Sequence, residues 1–188
     1  MRIGIDIDDV LNNLTACVLE VYNKDSGDDL KFADITEYDM TLFVKDKYKK
    51  NFFKYFADKR VWDIVMPNMK GFNLINKLYE QGHKIYFVTA THPLNVGNKY
   101  KWLNQYLDWD VWESLVVTKD KSLLTGLDIL LDDHLGNLNF ESENTTFVLY
   151  SRPWNVGKDS GSCLRMNSWQ WFEQLVNILD QQEKGVIA

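Results

Sequence analysis

The sequence has little that would hold it together by covalent or metal staples. Two cysteines, Cys17 and Cys163, stand far apart in 188 residues and in no metal-binding spacing. That excludes a disulfide framework and a cysteine zinc site, and it suits a reducing compartment. The three histidines show no metal spacing either. No run approaches the roughly 18–20 apolar residues of a membrane span, and the first residues carry no apolar signal core. A soluble, cytoplasmic protein with no membrane partner is expected. A basic excess is also missing: the net charge is −6. A nucleic-acid polymer is therefore disfavoured, since its phosphate backbone is usually met by a basic face. A small phosphorylated ligand held by a few local cations remains open. There are no internal repeats and no low-complexity stretch.

What is present is a core. The chain is 45% hydrophobic and 14% aromatic, with seven tryptophans, enough to pack one substantial domain with an insertion. Near-continuous apolar runs at residues 2–10, 84–89, 114–118, 127–133 and 145–150 read as buried strands of a parallel sheet. Helical stripes lie between them. Phe72, Ile75, Leu78 and Tyr79 share a face of a helix over 69–81, with Gly82 as its stop. Residues 95–107 read as a second helix. Ser168 is the candidate N-cap of a third, with Phe172, Leu175, Val176 and Leu179 inward. Alternating strands and helices predict an α/β fold: a doubly wound, Rossmann-like parallel sheet of about five strands. The stretch 14–67 shows no sheet strand and reads as two to four helices. Directly after the first strand, it is expected to be a helical cap on a core formed by 1–13 and 68–188.

The chemistry sits at strand ends. The first run ends in three carboxylates, Asp6, Asp8 and Asp9. An unpaired buried carboxylate is costly, so the cluster belongs in the crevice beyond the strand's C-terminal end, where open α/β sheets bind ligands. Thr89 closes the second run, Lys121 follows the third, and Asp132 and Asp133 close the fourth. In a parallel sheet these ends share one edge. A phosphate ester resists attack because its oxygens are negative, so catalysis needs a cation, donors, an in-line nucleophile and a proton source. A divalent ion among Asp6, Asp8 and Asp132 would be the cation. Thr89 and Lys121 would be the donors, Asp6 the nucleophile, and Asp8 the general acid and base.

This order, Asp-x-Asp-x-Val, strand-end Thr, Lys, then Asp-Asp, resembles the haloacid dehalogenase-like hydrolases. Within them, Asp6-Ile7-Asp8-Asp9-Val10-Leu11, Phe87-Val88-Thr89-Ala90-Thr91-His92-Pro93, Val117-Thr118-Lys119-Asp120-Lys121 and Leu130-Leu131-Asp132-Asp133 resemble the 5′(3′)-deoxyribonucleotidases. The resemblance implies a Mg²⁺-dependent phosphomonoesterase, acting through an aspartyl-phosphate. Its substrate would be a small phosphate ester, a (deoxy)ribonucleoside 5′- or 3′-monophosphate. It implies Mg²⁺ ligation by Asp6, Asp132 and the Asp8 carbonyl, phosphate binding by Thr89 and Lys121, and a supporting place for Asp133. Family members often carry a Phe where this chain has Leu14, so Phe43, Phe53, Phe56 and Trp62 become the candidates for a substrate-stacking surface. The alternative substrate is another small metabolite such as a sugar phosphate. Further off stands a phosphoacceptor domain, which shares the residue types in a different strand order, or a binding module. A homodimer is left open.

Overall fold

The computed structural model describes residues 1–142 and 144–185, the Leu94 side chain apart, so the last three residues of the expected core segment lie outside it. Its elements in order are β1 (Arg2–Ile5), α1 (Leu14–Ser26), α2 (Asp46–Lys49), α3 (Lys59–Trp62), α4 (Met69–Glu80), β2 (Lys84–Thr89), α5 (Val96–Leu103), β3 (Leu115–Val117), β4 (Ile129–Asp132), β5 (Thr146–Tyr150), β6 (Leu164–Met166) and α6 (Trp169–Glu183). Six strands form one sheet in the order β3-β2-β1-β4-β5-β6, and every pair is parallel. The sixth strand exceeds the expected five. Leu164-Arg165-Met166 has three residues with an arginine at the centre, too short for an apolar run to reveal.

The strand order places the site. The chain runs outward from β1 through β2 to β3, then returns to β1's other side with β4. The switch point therefore falls between β1 and β4, where the crevice of such a sheet opens. Ile5 pairs with Leu131, and the next amide, Asp6 N–H, still donates to the Leu131 carbonyl at 2.9 Å. Asp6 and Asp132 thus leave the sheet as neighbours.

The two faces are covered unequally. Ile3, Ile5, Ile129, Leu131 and Val148 point to the face that buries the apolar sides of α1, α4, α5 and α6, including Tyr22, Phe72, Trp102 and Phe172. Leu130, Phe147 and Leu149, alternating with them, point the other way into a smaller cluster. Between β3 and β4, and between β4 and β5, the chain carries 3-10 turns instead of α-helices. Helix ends follow local chemistry. The Ser168 hydroxyl accepts Trp171 N–H to start α6, Asn68 caps α4 through Gly71 N–H, and Gly82 stops α4 at φ +88°.

Residues 14–67 hold one long helix, α1. The remainder is the single turns α2 and α3 and 3-10 turns at Phe32–Asp34, Met40–Leu42 and Phe52–Ala57. The excursion starts and finishes at one point, where Asn12 bridges Pro67 and Asn68 N–H donates to the Leu11 carbonyl at 2.7 Å. Tyr22 of α1 organises it. Its ring meets Tyr48, Phe52 and Tyr55 edge-on, and its hydroxyl donates to Asp28 and accepts Lys45 N–H.

Candidate active site

Two buried lysines organise the strand ends. Lys121, in the 3-10 turn after β3, is 2% exposed. Its ammonium donates to Asp6 Oδ1 at 2.5 Å, to the Val88 carbonyl at 3.0 Å and to Asp132 Oδ2. Lys99, on α5, is 0% exposed and donates to Thr89 Oγ1 at 2.6 Å and to Asp8 Oδ2. Each ammonium is desolvated, and such a charge is tolerated only when paired and hydrogen-bonded. Sequence reasoning missed Lys99. The available signal was its place three and four residues before Trp102 and Leu103, on the helix stripe that turns inward.

Beside these pairs lies a cavity of about 390 Å³, lined by Asp6, Asp8, Asp9, Asp133, Tyr38, Phe53, Phe56, Thr91, His92 and Lys119 among others. Asp132 lies behind that wall, wholly buried. It accepts Lys121, both of its oxygens face Asn137 Nδ2 at 3.1 Å, and it takes His134 N–H at 2.8 Å. The Asp133 carboxylate lines the cavity and, among the described residues, meets no hydrogen-bond donor. Its main chain is fixed instead, with the carbonyl accepting Asn155 Nδ2 at 2.7 Å and Trp154 Nε1 at 3.3 Å. Thr89 is buried under its bond to Lys99, while Thr91 reaches the cavity. Of the aromatic candidates, Phe53 and Phe56 line the cavity, their rings 5.9 Å apart. Phe43 and Trp62 pack against the hydrophobic core, and Trp62 Nε1 donates to the Phe56 carbonyl. Leu14 is fully buried in the same core.

Asp9 is a further site residue. It is 4% exposed, at φ +57°, in the left-handed region that Asp tolerates better than most side chains. Its carboxylate accepts Thr15 N–H and Thr15 Oγ1 in the first turn of α1. Its amide donates to Asn12 Oδ1 and its carbonyl accepts Arg152 Nε. The turn after Asp8 is therefore fixed from both sides. Across the cavity, the Tyr38 ring stacks on His134 at 3.6 Å.

The electrostatics follow from burial and crowding. Burial pushes the Asp6 carboxyl up to about 7. The attraction of Lys121 opposes this, while Asp132 and Asp8 add to it. Burial likewise raises Asp9 to about 6, against its bonds from Thr15. It lifts Asp133 well above the usual carboxylate range, with Asp132 and Asp6 adding repulsion. Burial works against the Lys121 ammonium, but Asp6 and Asp132 outweigh it and hold the pKa above its ordinary value. Five carboxylates thus face two buried ammoniums. Among the described residues, no three His, Cys, Asp or Glu side chains form a ready-made metal cage. The donor set nevertheless fits a hard divalent cation that keeps several waters and takes one or two carboxylates: Asp6 and Asp133 line the same cavity, and the Asp133 carboxylate meets no donor among the described residues.

Comparison with known proteins gives the family and the fold. The family model described as "5' nucleotidase, deoxy (Pyrimidine), cytosolic type C protein" matches residues 1–182. A sequence search of curated proteins finds no match. Among solved structures, the chain is similar to a haloacid dehalogenase family hydrolase from Deinococcus radiodurans, solved with bound phosphate and sodium. The TM-score is 0.66 at 10% identity, covering 95% of this chain and 96% of that one. It is also similar to a family IA, variant 3 haloacid dehalogenase hydrolase from Entamoeba histolytica, with TM-score 0.60, 13% identity and coverage of 95% and 99%. These two likenesses show a haloacid dehalogenase-like fold, and the family match shows the rest: the chain belongs to the deoxy (pyrimidine), cytosolic type C 5′-nucleotidase family, and it is a phosphatase.

Proposed function

We propose that the protein is a Mg²⁺-dependent phosphomonoesterase that hydrolyses (deoxy)ribonucleoside monophosphates in the cytoplasm, with residues 14–67 acting as the cap. The observation that carries this reading is the pair of lysine bridges, Lys121 between Asp6 and Asp132 and Lys99 between Asp8 and Thr89, beside a cavity walled by Phe53 and Phe56.

Asp6 is the nucleophile. Its carboxylate oxygen attacks phosphorus, the ester P–O bond breaks, and Asp8 gives its proton to the leaving oxygen. Asp8 then takes a proton from water, whose oxygen attacks the aspartyl-phosphate, releasing phosphate and restoring Asp6. Lys121 keeps Asp6 aimed and offsets charge at the phosphoryl group. Lys99, itself bonded to Thr89, holds the Asp8 carboxylate in place for its two proton transfers. A bound Mg²⁺ would offset the charge of the phosphoryl oxygens and favour ionised Asp6. The hydrogen bonding supports exchanging two expected roles. Asp132 is fully engaged behind the wall, so it supports Lys121, and Asp133, in the cavity, would join Asp6 and the Asp8 carbonyl as a ligand.

The test is phosphate release from nucleoside monophosphates and sugar phosphates, with Mg²⁺ and with EDTA, on wild type, Asp6→Asn and Asp133→Asn. Release from nucleotides that needs Mg²⁺, vanishes in Asp6→Asn and requires more Mg²⁺ in Asp133→Asn is expected. Release confined to sugar phosphates would overturn the nucleotide assignment.

A further inference from the structure

The active-site cavity does not end at Phe53 and Phe56. On their outer side a second cavity of about 460 Å³ shares Phe53, Phe56, Thr91, His92 and Asn95 with the first, and adds Lys50 and Lys54. The two hollows share an aromatic wall. Carboxylates line the first, and Lys50 and Lys54 line the second. Phe53 is 59% exposed.

The charge beside the second cavity is local. Residues 45–60 contain seven Lys and Arg against two Asp, in a chain whose net charge is −6. Most of these cations are committed. Lys45 donates to the Ser26 and Gly27 carbonyls, Lys47 lies over the Tyr48 ring, and Lys49 pairs with Asp46. Lys59 pairs with Asp63, and Arg60 with Asp25 and Asp58. Lys50 and Lys54 have no carboxylate or carbonyl partner among the described residues, and they are the two that line the outer cavity. An ammonium left unpaired beside an apolar shelf is arranged for an incoming anion.

We propose that Lys50 and Lys54 form a second anion subsite, and that the preferred substrates carry a second phosphate. The reacting phosphoryl group lies at Asp6, the middle of the molecule passes along the shared Phe53–Phe56 wall, and the distal phosphate meets the two lysines. Under the nucleotide reading, on which this assignment rests, the substrate class is a nucleoside 3′,5′-bisphosphate. The same chemistry would serve a sugar bisphosphate.

The experiment is calorimetric binding to the Asp6→Asn protein with Mg²⁺ present, at low salt. The ligands are a nucleoside 5′-monophosphate, its 3′,5′-bisphosphate, a hexose monophosphate and the matching bisphosphate. Two exposed ion pairs predict a bisphosphate preference of about tenfold within a pair, shrinking as salt is raised. Lys50→Met/Lys54→Met closes that gap. Lys47→Met/Lys49→Met, with the same loss of charge outside the cavity, leaves it open. No gap in either pair, a gap that survives Lys50→Met/Lys54→Met, or one that both double variants close equally would overturn the subsite. A gap in the sugar pair without nucleotide binding retires the nucleotide reading and keeps the subsite. Nucleotide binding without a gap does the reverse.

Discussion

Two lysines of the same chemical type reach the site from different directions, and one of them was easier to read than the other. Lys121 follows an apolar run and an Asp, a pattern that points to a strand end. Lys99 lies inside a helix between Asn98 and Tyr100, where a lysine ordinarily reads as solvated; only the burial of Trp102 and Leu103 turns that face inward. Tertiary packing, not local pattern, makes it a site residue. Asp9 was legible as a member of the crevice cluster but not in its role: it is buried and hydrogen-bonded to α1 and Arg152, fixing the turn after Asp8. Removing Lys99 takes the shared donor from Asp8 and Thr89. Lys99→Met is expected to lower kcat about 100-fold, the scale of a lost proton-transfer geometry, with the circular-dichroism spectrum unchanged. Lys101→Met, two residues along and exposed, should move kcat by less than about twofold. Equal losses in both variants would remove Lys99 from the site's machinery.

The elements with a strong period were legible. β2 and the amphipathic α4 and α6 lie within a residue or so of where their apolar spacing predicts, because burial on one face decides both sequence and structure. The segment 14–67 was harder. After α1 its aromatics are spaced for contacts with Tyr22 and not for a helix stripe, so the chain breaks into single turns held by side chains. The Tyr22 hydroxyl ties the stretch after α1 to the start of α2, donating to Asp28 at 2.8 Å and accepting Lys45 N–H at 2.9 Å. Tyr22→Phe keeps the ring contacts and deletes both bonds, leaving a part-buried amide unpaired. It is expected to cost about 1–3 kcal/mol of unfolding free energy, measurable by urea denaturation. It should also raise KM more than it lowers kcat, since Phe53 and Phe56 follow directly on the Tyr22-packed Phe52. An unchanged midpoint and KM would show that the ring contacts alone hold the segment.

At the scale of the whole molecule, the carboxylate cluster is a stability cost carried by the metal-free protein. Asp6 has a folded pKa near 7 against an ordinary 3.8. The folded state therefore binds the proton more tightly than the unfolded one. This contribution is fully present below about pH 4 and is lost as pH rises through 7. Asn mimics the protonated acid, so metal-free Asp6→Asn should melt above wild type at pH 8, and the gap should narrow steadily toward pH 4. Saturating Mg²⁺ should reverse the order at pH 8 by stabilising the ionised wild type. Scanning calorimetry of both proteins at pH 4, 6 and 8 checks this, and a gap that widens on acidification would overturn it. The strand order has another consequence, for how the chain comes together. β1 is the first strand made and lies inside the sheet, yet its partners begin at Lys84 and Ile129. Until β4 has been synthesised, Ile3 and Ile5 sit on a strand with at least one open edge. Such distant pairings make folding slow and leave the nascent chain open to wrong partners. The strand that positions the nucleophile is thus also the one most exposed to misassembly.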